Sequence, residues 1–340
     1  MRKFFIIGLV LVAALYLLPA AYYLLGDGSS LAIDFEDLTM PDAVPVDHST
    51  SDGNSTDEAS AETQKPDHSV ITVDIDGKPT EMPLETYVEG VVAAEISNDF
   101  PPEAIRAQAV AARTYAVYKI DRGRPDQHPD ADVCDDFHHC AAYRDVAVET
   151  AAGGDLSRVE QAVQDTAGQI MTYDGDAIAA VFHCASGPRT ESAADVWGGD
   201  IPYLQSVVSP GGSACEQYER AVKLTVDEFR EKVSKTFPTA DVSGTPDTWF
   251  KASTRSDAGG IETVKLGGVT VEGTAVRELF GLNSTNFTIT TTDDSLTFHT
   301  IGYGHGVGLS QYGAKYMAEQ GSKYDEILTH YYKGATLSVV

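Results

Sequence analysis

The segment that decides the fold is residues 91–116, which read VVAAEISNDFPPEAIRAQAVAARTYA. Two helix-forming runs flank Pro101-Pro102, a pair that must end the first helix and suits the first turn of the second. The second run is rich in alanine, whose small side chain lets a helix approach its neighbour closely. The segment therefore predicts two packed helices joined by a short turn, an αα-hairpin.

Glu95 interrupts the apolar end of the first predicted helix. A carboxylate on an apolar face loses water and must be paired, neutralised or used in chemistry. Arg113, late in the second helix, carries a guanidinium that can orient a carboxylate or bind a polar substrate, although an exposed arginine near a helix C-terminus is the simpler interpretation. Glu95 is thus a candidate catalytic group, and Arg113 is a candidate binding group.

The flanking sequence mixes helices with antiparallel strands. An alternating strand is predicted over residues 70–75, followed by an Asp76-Gly77 turn, after which Thr80 can cap the first helix. A further helix is predicted over residues 156–166, and residues 168–187 read as two strands joined in a hairpin. Because helices and strands are segregated along the chain, the pattern predicts an α+β fold.

The composition limits the classes of partner. The chain has 340 residues, of which 42% are hydrophobic, enough for one large domain or two. It carries 51 acidic and 24 basic residues, for a formal charge of −27. A surface that binds nucleic acid needs clustered lysine and arginine, so this charge argues against a nucleic-acid partner.

The N-terminus predicts a membrane anchor. Residues 4–25 contain no charged side chain and are long enough to cross a bilayer, and Arg2 and Lys3 before them place the N-terminus in the cytoplasm. A cleaved signal peptide is the alternative, but the apolar run is longer than a usual signal core. We expect a cytoplasmic tip and transmembrane helix over residues 1–25, a disordered acidic linker over 26–68, and one extracytoplasmic domain over 69–340.

Residues 127–143, QHPDADVCDDFHHCAAY, combine two cysteines with three histidines. Cys134 and Cys140 with two of His128, His138 and His139 would form a Cys2His2 set, which suits Zn2+ because thiolate and imidazole are its preferred ligands. We favour His128 and His139, and His138 can replace His139. Four protein ligands leave no open position on zinc, so the ion would be structural.

A disulfide is the alternative use of these cysteines, because the space beyond the membrane is oxidising. The chain has four cysteines, and one of the three possible pairings joins Cys134 with Cys140 and Cys184 with Cys215. The adjacent histidines favour the metal.

Two later segments have the composition of binding loops. Residues 182–197, FHCASGPRTESAADVW, place Ser186 in a polar loop after a strand, where an ordinary turn is the alternative. Residues 302–321, GYGHGVGLSQYGAKYMAEQG, have glycines at every second position before a helix. Such a backbone lets a ligand approach or packs tightly against another segment. The residues that would face a ligand there are His305, Ser310, Gln311 and Tyr312.

Taken together, the αα-hairpin, the CDDFHHC segment, FHCASGPRTES and GYGHGVGLSQYGA resemble the stage II sporulation protein D family, from about residue 70 to the C-terminus. The resemblance implies a membrane-anchored lytic transglycosylase that cuts peptidoglycan glycan strands while the mother cell engulfs the forespore. It implies that Glu95 is the catalytic acid and base, and that Arg113 and Tyr312 are polar residues required around it. It also implies zinc bound by His128, Cys134, His139 and Cys140.

Ser186, His305 and Gln311 are further candidate substrate-binding residues, although Pro188-Arg189 stands where the family loop often has a second glycine. The partners implied are glycan strands already stripped of peptides by an amidase, stage II sporulation protein P, together with stage II sporulation protein M. The resemblance also implies that the protein stimulates this amidase. Two alternatives are a zinc-dependent cell-wall amidase and a non-catalytic wall-binding module that activates its partner.

Overall fold

The computed structural model describes residues 68–340. The predicted anchor and nearly all of the predicted linker lie outside the described residues. Within the part of the chain that is described, none of the helices is long and apolar enough to cross a membrane.

The described residues form a mixture of helices and mainly antiparallel strands, in agreement with the predicted class. The α-helices of residues 68–340 are α1 (Leu84–Glu95), α2 (Pro102–Arg122), α3 (Val146–Ala151), α4 (Ser157–Asp165), α5 (Ala193–Trp197), α6 (Val226–Thr236), α7 (Gly273–Phe280), α8 (Gln311–Glu319) and α9 (Tyr324–Tyr331). The strands of the same range are β1 (Val70–Ile75), β2 (Lys78–Pro83), β3 (Val133–Cys134), β4 (Gln169–Tyr173), β5 (Asp176–Ala177), β6 (Phe182–His183), β7 (Glu219–Thr225), β8 (Phe250–Arg255), β9 (Ile261–Leu266), β10 (Val269–Glu272), β11 (Phe287–Thr291), β12 (Ser295–Ile301), β13 (Leu309–Ser310) and β14 (Thr336–Val339).

The strands pair in five small sheets, with the orders β2-β1-β3, β10-β9-β8, β11-β12-β7, β13-β6 and β14-β4-β5. The pairs β1–β3 and β13–β6 are parallel. The β13–β6 pair joins the C-terminal glycine-rich segment to the strand that precedes Ser186, so two of the predicted binding loops are brought side by side.

The predicted αα-hairpin is present. Helix α1 ends at Glu95, and α2 begins at Pro102 after Pro101. Helix α2 lies at the centre of the molecule, where most of its side chains are buried. Its alanines leave room for neighbouring backbone, and the Met171 N–H donates to Thr114 Oγ1 over 2.9 Å.

Two local predictions were wrong. Thr80 does not cap a helix, because Asp76 and Gly77 adopt φ values of 50° and 75° and reverse the chain, which pairs Thr80 with Val73 in a hairpin. The second strand expected within residues 168–187 is broken into β5 and β6. Ala180 and Val181 make local backbone hydrogen bonds between the two short pieces, so no continuous ladder forms there.

The buried apolar side chains form two clusters. The first lies around α1, α2, α4 and α9, and the second lies among β7–β12, α6 and α7, where Phe229 stacks on Trp249 and Phe280. Residues 219–301 contain the second cluster, and this segment begins and ends at neighbouring points, because the Gly302 N–H donates to the Tyr218 carbonyl over 2.8 Å. The candidate site is built from the first cluster.

Candidate functional site

Glu95 is the last residue of α1, and its side chain is half-buried. Its carboxylate accepts two hydrogen bonds. The Ala142 N–H donates to Oε1 over 3.3 Å, and Gln311 Nε2 donates to Oε2 over 3.3 Å. Three parts of the chain that are distant in sequence therefore meet at this carboxylate.

The environment of Glu95 favours its protonated form. Burial raises the pKa of Glu95 above its ordinary value of 4.5, while the hydrogen bonds from Gln311 and Ala142 oppose part of the rise. A carboxyl group with a raised pKa keeps its proton closer to neutral pH, which a general acid requires. The two donors can also stabilise the carboxylate once the proton has left.

An aromatic pair and a lysine lie at the start of α8, the helix whose first residue, Gln311, donates to this carboxylate. The half-buried Tyr312 follows Gln311 at the start of α8, and its ring meets that of Phe100 edge-to-face with centroids 5.2 Å apart. Lys315 Nζ lies 5.0 Å from the centre of the Phe100 ring and 5.6 Å from that of Tyr312. The start of α8 thus combines the Gln311 contact to Glu95 with a half-buried aromatic ring and a positive charge.

The structure places Arg113 away from this site. Its side chain is 0% exposed and donates from Nε and Nη2 to the two carboxylate oxygens of Glu85, over 2.9 and 2.6 Å. The same guanidinium also donates to the Gln169 and Val163 carbonyls, over 3.2 and 3.4 Å. The prediction that Arg113 contacts substrate does not fit this position, because two of its guanidinium donors are bonded to the carboxylate of Glu85 in the first turn of α1. Arg113 instead holds the helix whose other end carries Glu95.

Both ring nitrogens of His305 are hydrogen-bonded to the protein backbone. The Val307 N–H donates to Nδ1 over 3.1 Å, so the ring proton is on Nε2, which donates to the Phe182 carbonyl over 2.9 Å. Burial, with the nearby Arg277 cation, lowers the pKa of His305 to about 4, so the ring is neutral. Both ring nitrogens have partners, and the predicted substrate contact is replaced by a role in holding the glycine-rich turn against β6.

Ser186 and Ser310 are buried instead of facing a ligand beside Glu95. Ser310 caps α8, where Oγ accepts from the Gly313 N–H over 3.2 Å, and the same oxygen accepts from the Ser186 N–H over 3.4 Å. Ser186 is 4% exposed and lines a small cavity together with Glu191, Asn286 and His305. Of the predicted binding residues, Gln311 is thus the one that contacts Glu95, and Tyr312 follows it at the start of α8.

The predicted metal-binding residues form a compact cluster. The ligand atoms of His128, Cys134, His139 and Cys140 lie within 4.8 Å of one another. His128 Nδ1 is paired with the Ala131 carbonyl at 2.8 Å, which leaves Nε2 facing His139 Nδ1 at 3.1 Å and the Cys140 sulfur at 3.5 Å. A second ring nitrogen held by a carbonyl is typical of histidines that bind metals.

The protonation of the two thiols also suits a metal ion. The hydrogen bond between the two sulfurs, helped by His139, lowers the pKa of Cys134 to about 4 and raises that of Cys140. Metal ligation requires thiolate, and one is already favoured. The cluster could therefore hold a metal ion through four protein ligands.

His138 lies outside it, exposed and paired with Asp136. The other two cysteines, Cys184 and Cys215, are free thiols with sulfurs 3.6 Å apart.

The loop that carries the cysteine and histidine cluster, residues 128–140, ends two residues before a contact to Glu95. Cys140 is two residues before Ala142, whose N–H donates to the Glu95 carboxylate. Helix α1 is fitted to the same loop at Gly90, where an added Cβ would collide with the Tyr143 ring and the Arg144 carbonyl. Ordering this loop therefore places one of the two donors on Glu95.

Several participants were not predicted from the sequence. Phe100 and Lys315 reach the site only through the packing of α8 against the α1–α2 turn, and the Ala142 donor is a backbone group without a residue-type signal. Helix α1 carries both Glu85 and Glu89, and no local sequence pattern indicates that Glu85 is the one that pairs with Arg113.

The chain is similar to proteins of one family. A family model described as "Stage II sporulation protein" matches residues 77–173. Stage II sporulation protein D of Bacillus subtilis (strain 168) is 36% identical over 262 residues, which cover 76% of this chain and 75% of the relative. The protein of the same name from Bacillus amyloliquefaciens is 36% identical, covering 76% and 74%. An "Amidase enhancer" of Bacillus subtilis (strain 168) is 26% identical over 300 residues, covering 74% of this chain and 40% of the relative. This chain, with its half-buried Glu95 at the end of α1, belongs to the stage II sporulation protein D family.

Proposed function

We propose that this protein is a lytic transglycosylase that cleaves the bond between N-acetylmuramic acid and N-acetylglucosamine in peptidoglycan glycan strands. The observation that carries the proposal is Glu95, a half-buried carboxyl group with a raised pKa and two hydrogen-bond donors. Among residues 68–340, those two donors are its hydrogen-bond partners, and no second carboxylate is bonded to it.

One carboxyl group can serve both steps of this reaction. Protonated Glu95 gives its proton to the glycosidic oxygen as the bond from the muramyl C1 to that oxygen breaks. The resulting carboxylate takes the proton of the muramyl C6 hydroxyl as its oxygen bonds to C1, which closes a 1,6-anhydro ring. No water is consumed, and Glu95 ends protonated. Two-carboxylate glycosidases instead need a second Asp or Glu as nucleophile or base.

The hydrogen bonds to Glu95 fit this alternation. Gln311 and Ala142 donate to the two oxygens and stabilise the anion between the steps, while burial disfavours the anion at rest. The half-buried Tyr312, whose ring is held edge-to-face by the buried Phe100, provides an apolar face for a sugar ring next to Gln311. We therefore assign Tyr312 to the substrate and Gln311, which is buried, to the Glu95 carboxylate.

We propose that His128, Cys134, His139 and Cys140 would hold a zinc ion, because two sulfurs and two imidazoles are the donors that zinc prefers. When bound, it supplies structural cross-linking of the loop. The four residues order the segment that ends in the Ala142 donor. A zinc amidase would need a ligand position open to water, so four protein ligands count against that alternative.

By family membership, we propose that the protein acts during engulfment of the forespore, from the mother-cell membrane, with its folded part on the outer side. The proposed partners are stage II sporulation proteins P and M, the former an amidase that removes peptides from the strands. A relative named "Amidase enhancer" favours a second function, stimulation of that amidase. Stimulation can accompany catalysis or replace it.

The test is product analysis by mass spectrometry after incubation of purified protein with peptide-free glycan strands. Glu95→Gln should abolish 1,6-anhydro ends. Glu89→Gln is the matched control, because Glu89 lies on the same helix, is half-buried and has a pKa raised by burial, whereas Gln311 donates to Glu95. Anhydro products from Glu95→Gln at the wild-type rate would contradict the mechanism. Products with hydrolysed ends would indicate a hydrolase. If no new ends form, the remaining hypothesis is that the protein is a non-catalytic activator of its partner amidase.

A further inference from the structure

Lys315 stands in a position that the proposed mechanism does not use. It is half-buried on α8, one turn after Gln311, so the two side chains lie on the same face of the helix. Its ammonium contacts the faces of Phe100 and Tyr312. Among the described residues it forms no salt bridge with a carboxylate. The ammonium therefore lies over aromatic rings, one turn from the Gln311 that contacts the Glu95 carboxyl group, and no carboxylate of the described residues compensates its charge.

The protein as a whole repels anions. Its formal charge is −27, and a polyanionic strand approaching Glu95 meets this field unless a local cation offsets it. Lys315 is the cation that the aromatic pair places next to the site. An ammonium fixed over rings also loses less conformational freedom on binding than a free surface lysine does.

Removal of stem peptides changes the charge of the glycan next to the bond that is cut. In an intact strand the lactyl group of each muramyl residue is joined to the peptide through an amide, which is neutral. Hydrolysis of that amide by an amidase leaves a free lactyl carboxylate on the same sugar that bears the reacting C1. This carboxylate and a lysine ammonium attract each other, and the neutral amide lacks that attraction.

We propose that Lys315 binds the lactyl carboxylate of the muramyl residue at the cleaved bond and so makes the enzyme selective for peptide-free strands. The proposal rests on the proposed glycan-cleaving function and adds a residue that determines its substrate. Lys315 is a binding residue and takes no part in proton transfer. The reaction that must supply the substrate is an amide hydrolysis, since only that step generates the carboxylate.

The test compares two peptide-free glycans that differ only in charge, one with free lactyl carboxylates and one in which they have been converted to primary amides. Wild-type full-length protein in detergent should cleave the free acid with a KM lower by about tenfold, as expected for one charge-assisted hydrogen bond. Lys315→Met should remove this preference by raising the KM for the free acid to that for the amidated glycan. Lys315→Arg should retain the preference.

Lys323→Met is the matched control, because it removes the same charge from an exposed lysine that pairs with Glu103 outside the site. It should leave the preference unchanged, which separates a local contact from the effect of net charge. A Lys315→Met protein that folds normally and still prefers the free acid by the wild-type factor would overturn the proposal. If wild type yields no anhydro ends, the proposed function is wrong whatever the role of Lys315. The binding constants of the two glycans then test that role, because Lys315→Met should still remove the preference for the free acid.

Discussion

Substitution of Arg113 by lysine tests whether this arginine stabilises α1 or contacts the substrate. Arg113 is 0% exposed, and the side chain of its partner Glu85 is 38% exposed. Lysine keeps the charge but has a single ammonium, which can bond to one carboxylate oxygen and cannot reproduce the fork. The bonds lost are one of the two to Glu85 and those to the Gln169 and Val163 carbonyls.

The expected cost follows from these bonds. A hydrogen bond to a charged group contributes about 1.5 kcal/mol at the low end of its range, which suits a partly exposed carboxylate, and the longer carbonyl bonds add roughly 0.5 kcal/mol each. We therefore expect Arg113→Lys to lower the free energy of unfolding by about 2–3 kcal/mol, or Tm by roughly 5–10 °C. Arg106→Lys on the same helix should cost less than about 1 kcal/mol, because its bonds to Glu103 and Asp165 are at the surface.

The assay is urea unfolding of both variants and wild type, followed by circular dichroism, with the slope m compared to confirm that the same surface is exposed. Kinetics on peptide-free glycan should show that folded Arg113→Lys protein keeps its KM. Equal stability losses for the two variants, or a stable Arg113→Lys protein with a raised KM, would refute the assignment of Arg113 to the Glu85 ion pair.

Three further outcomes are expected. Because burial raises the pKa of Glu95, the folded chain binds this proton more tightly than the unfolded chain. The associated stability is present below about pH 4.5 and is lost as pH rises through the raised pKa. Glu95→Gln should therefore raise Tm at pH 7, and its melting curve should converge with that of wild type at low pH. Removal of the bound metal by a chelator should lower Tm by roughly 10 °C, measured beside metal content by mass spectrometry, and an unchanged Tm would exclude a structural ion. Gly90→Ala should lower the free energy of unfolding, measured with urea, by about 2 kcal/mol, because the new methyl group meets the Tyr143 ring and the Arg144 carbonyl. Gly123→Ala is the control: its Cβ would meet no atom within 4 Å, and its only penalty is the strained φ of 82°.

The helical hairpin and the metal cluster are features that the sequence could predict, because their signals are local. Pro101 and Pro102 end one helix and begin the next through restrictions on their own backbone. His128, Cys134, His139 and Cys140 lie in one short loop, so residue type and proximity in sequence sufficed to bring their side chains together. Glu95 was recognisable for a similar reason, since a charge in an apolar helical run is conspicuous in any fold.

The contacts of these residues depended on segments far apart in the chain. Arg113 and His305 have the chemistry of substrate ligands, yet one pairs with Glu85 and the other is held between Phe182 and Val307. Gln311 reaches Glu95 across 216 positions of sequence, which residue type cannot foretell.

The sequence by itself determined which residues could do chemistry, because the acidity of a carboxyl group, the donors of a thiolate and the geometry of proline are properties of single residues or close neighbours. Only the tertiary structure decided which of them contact Glu95 and which are bonded elsewhere in the protein, since burial and hydrogen-bond partners arise when α8 and the loop that carries the cysteines and histidines pack against the end of α1. The same arginine or histidine becomes a ligand or a structural tie according to which groups that packing leaves unsatisfied.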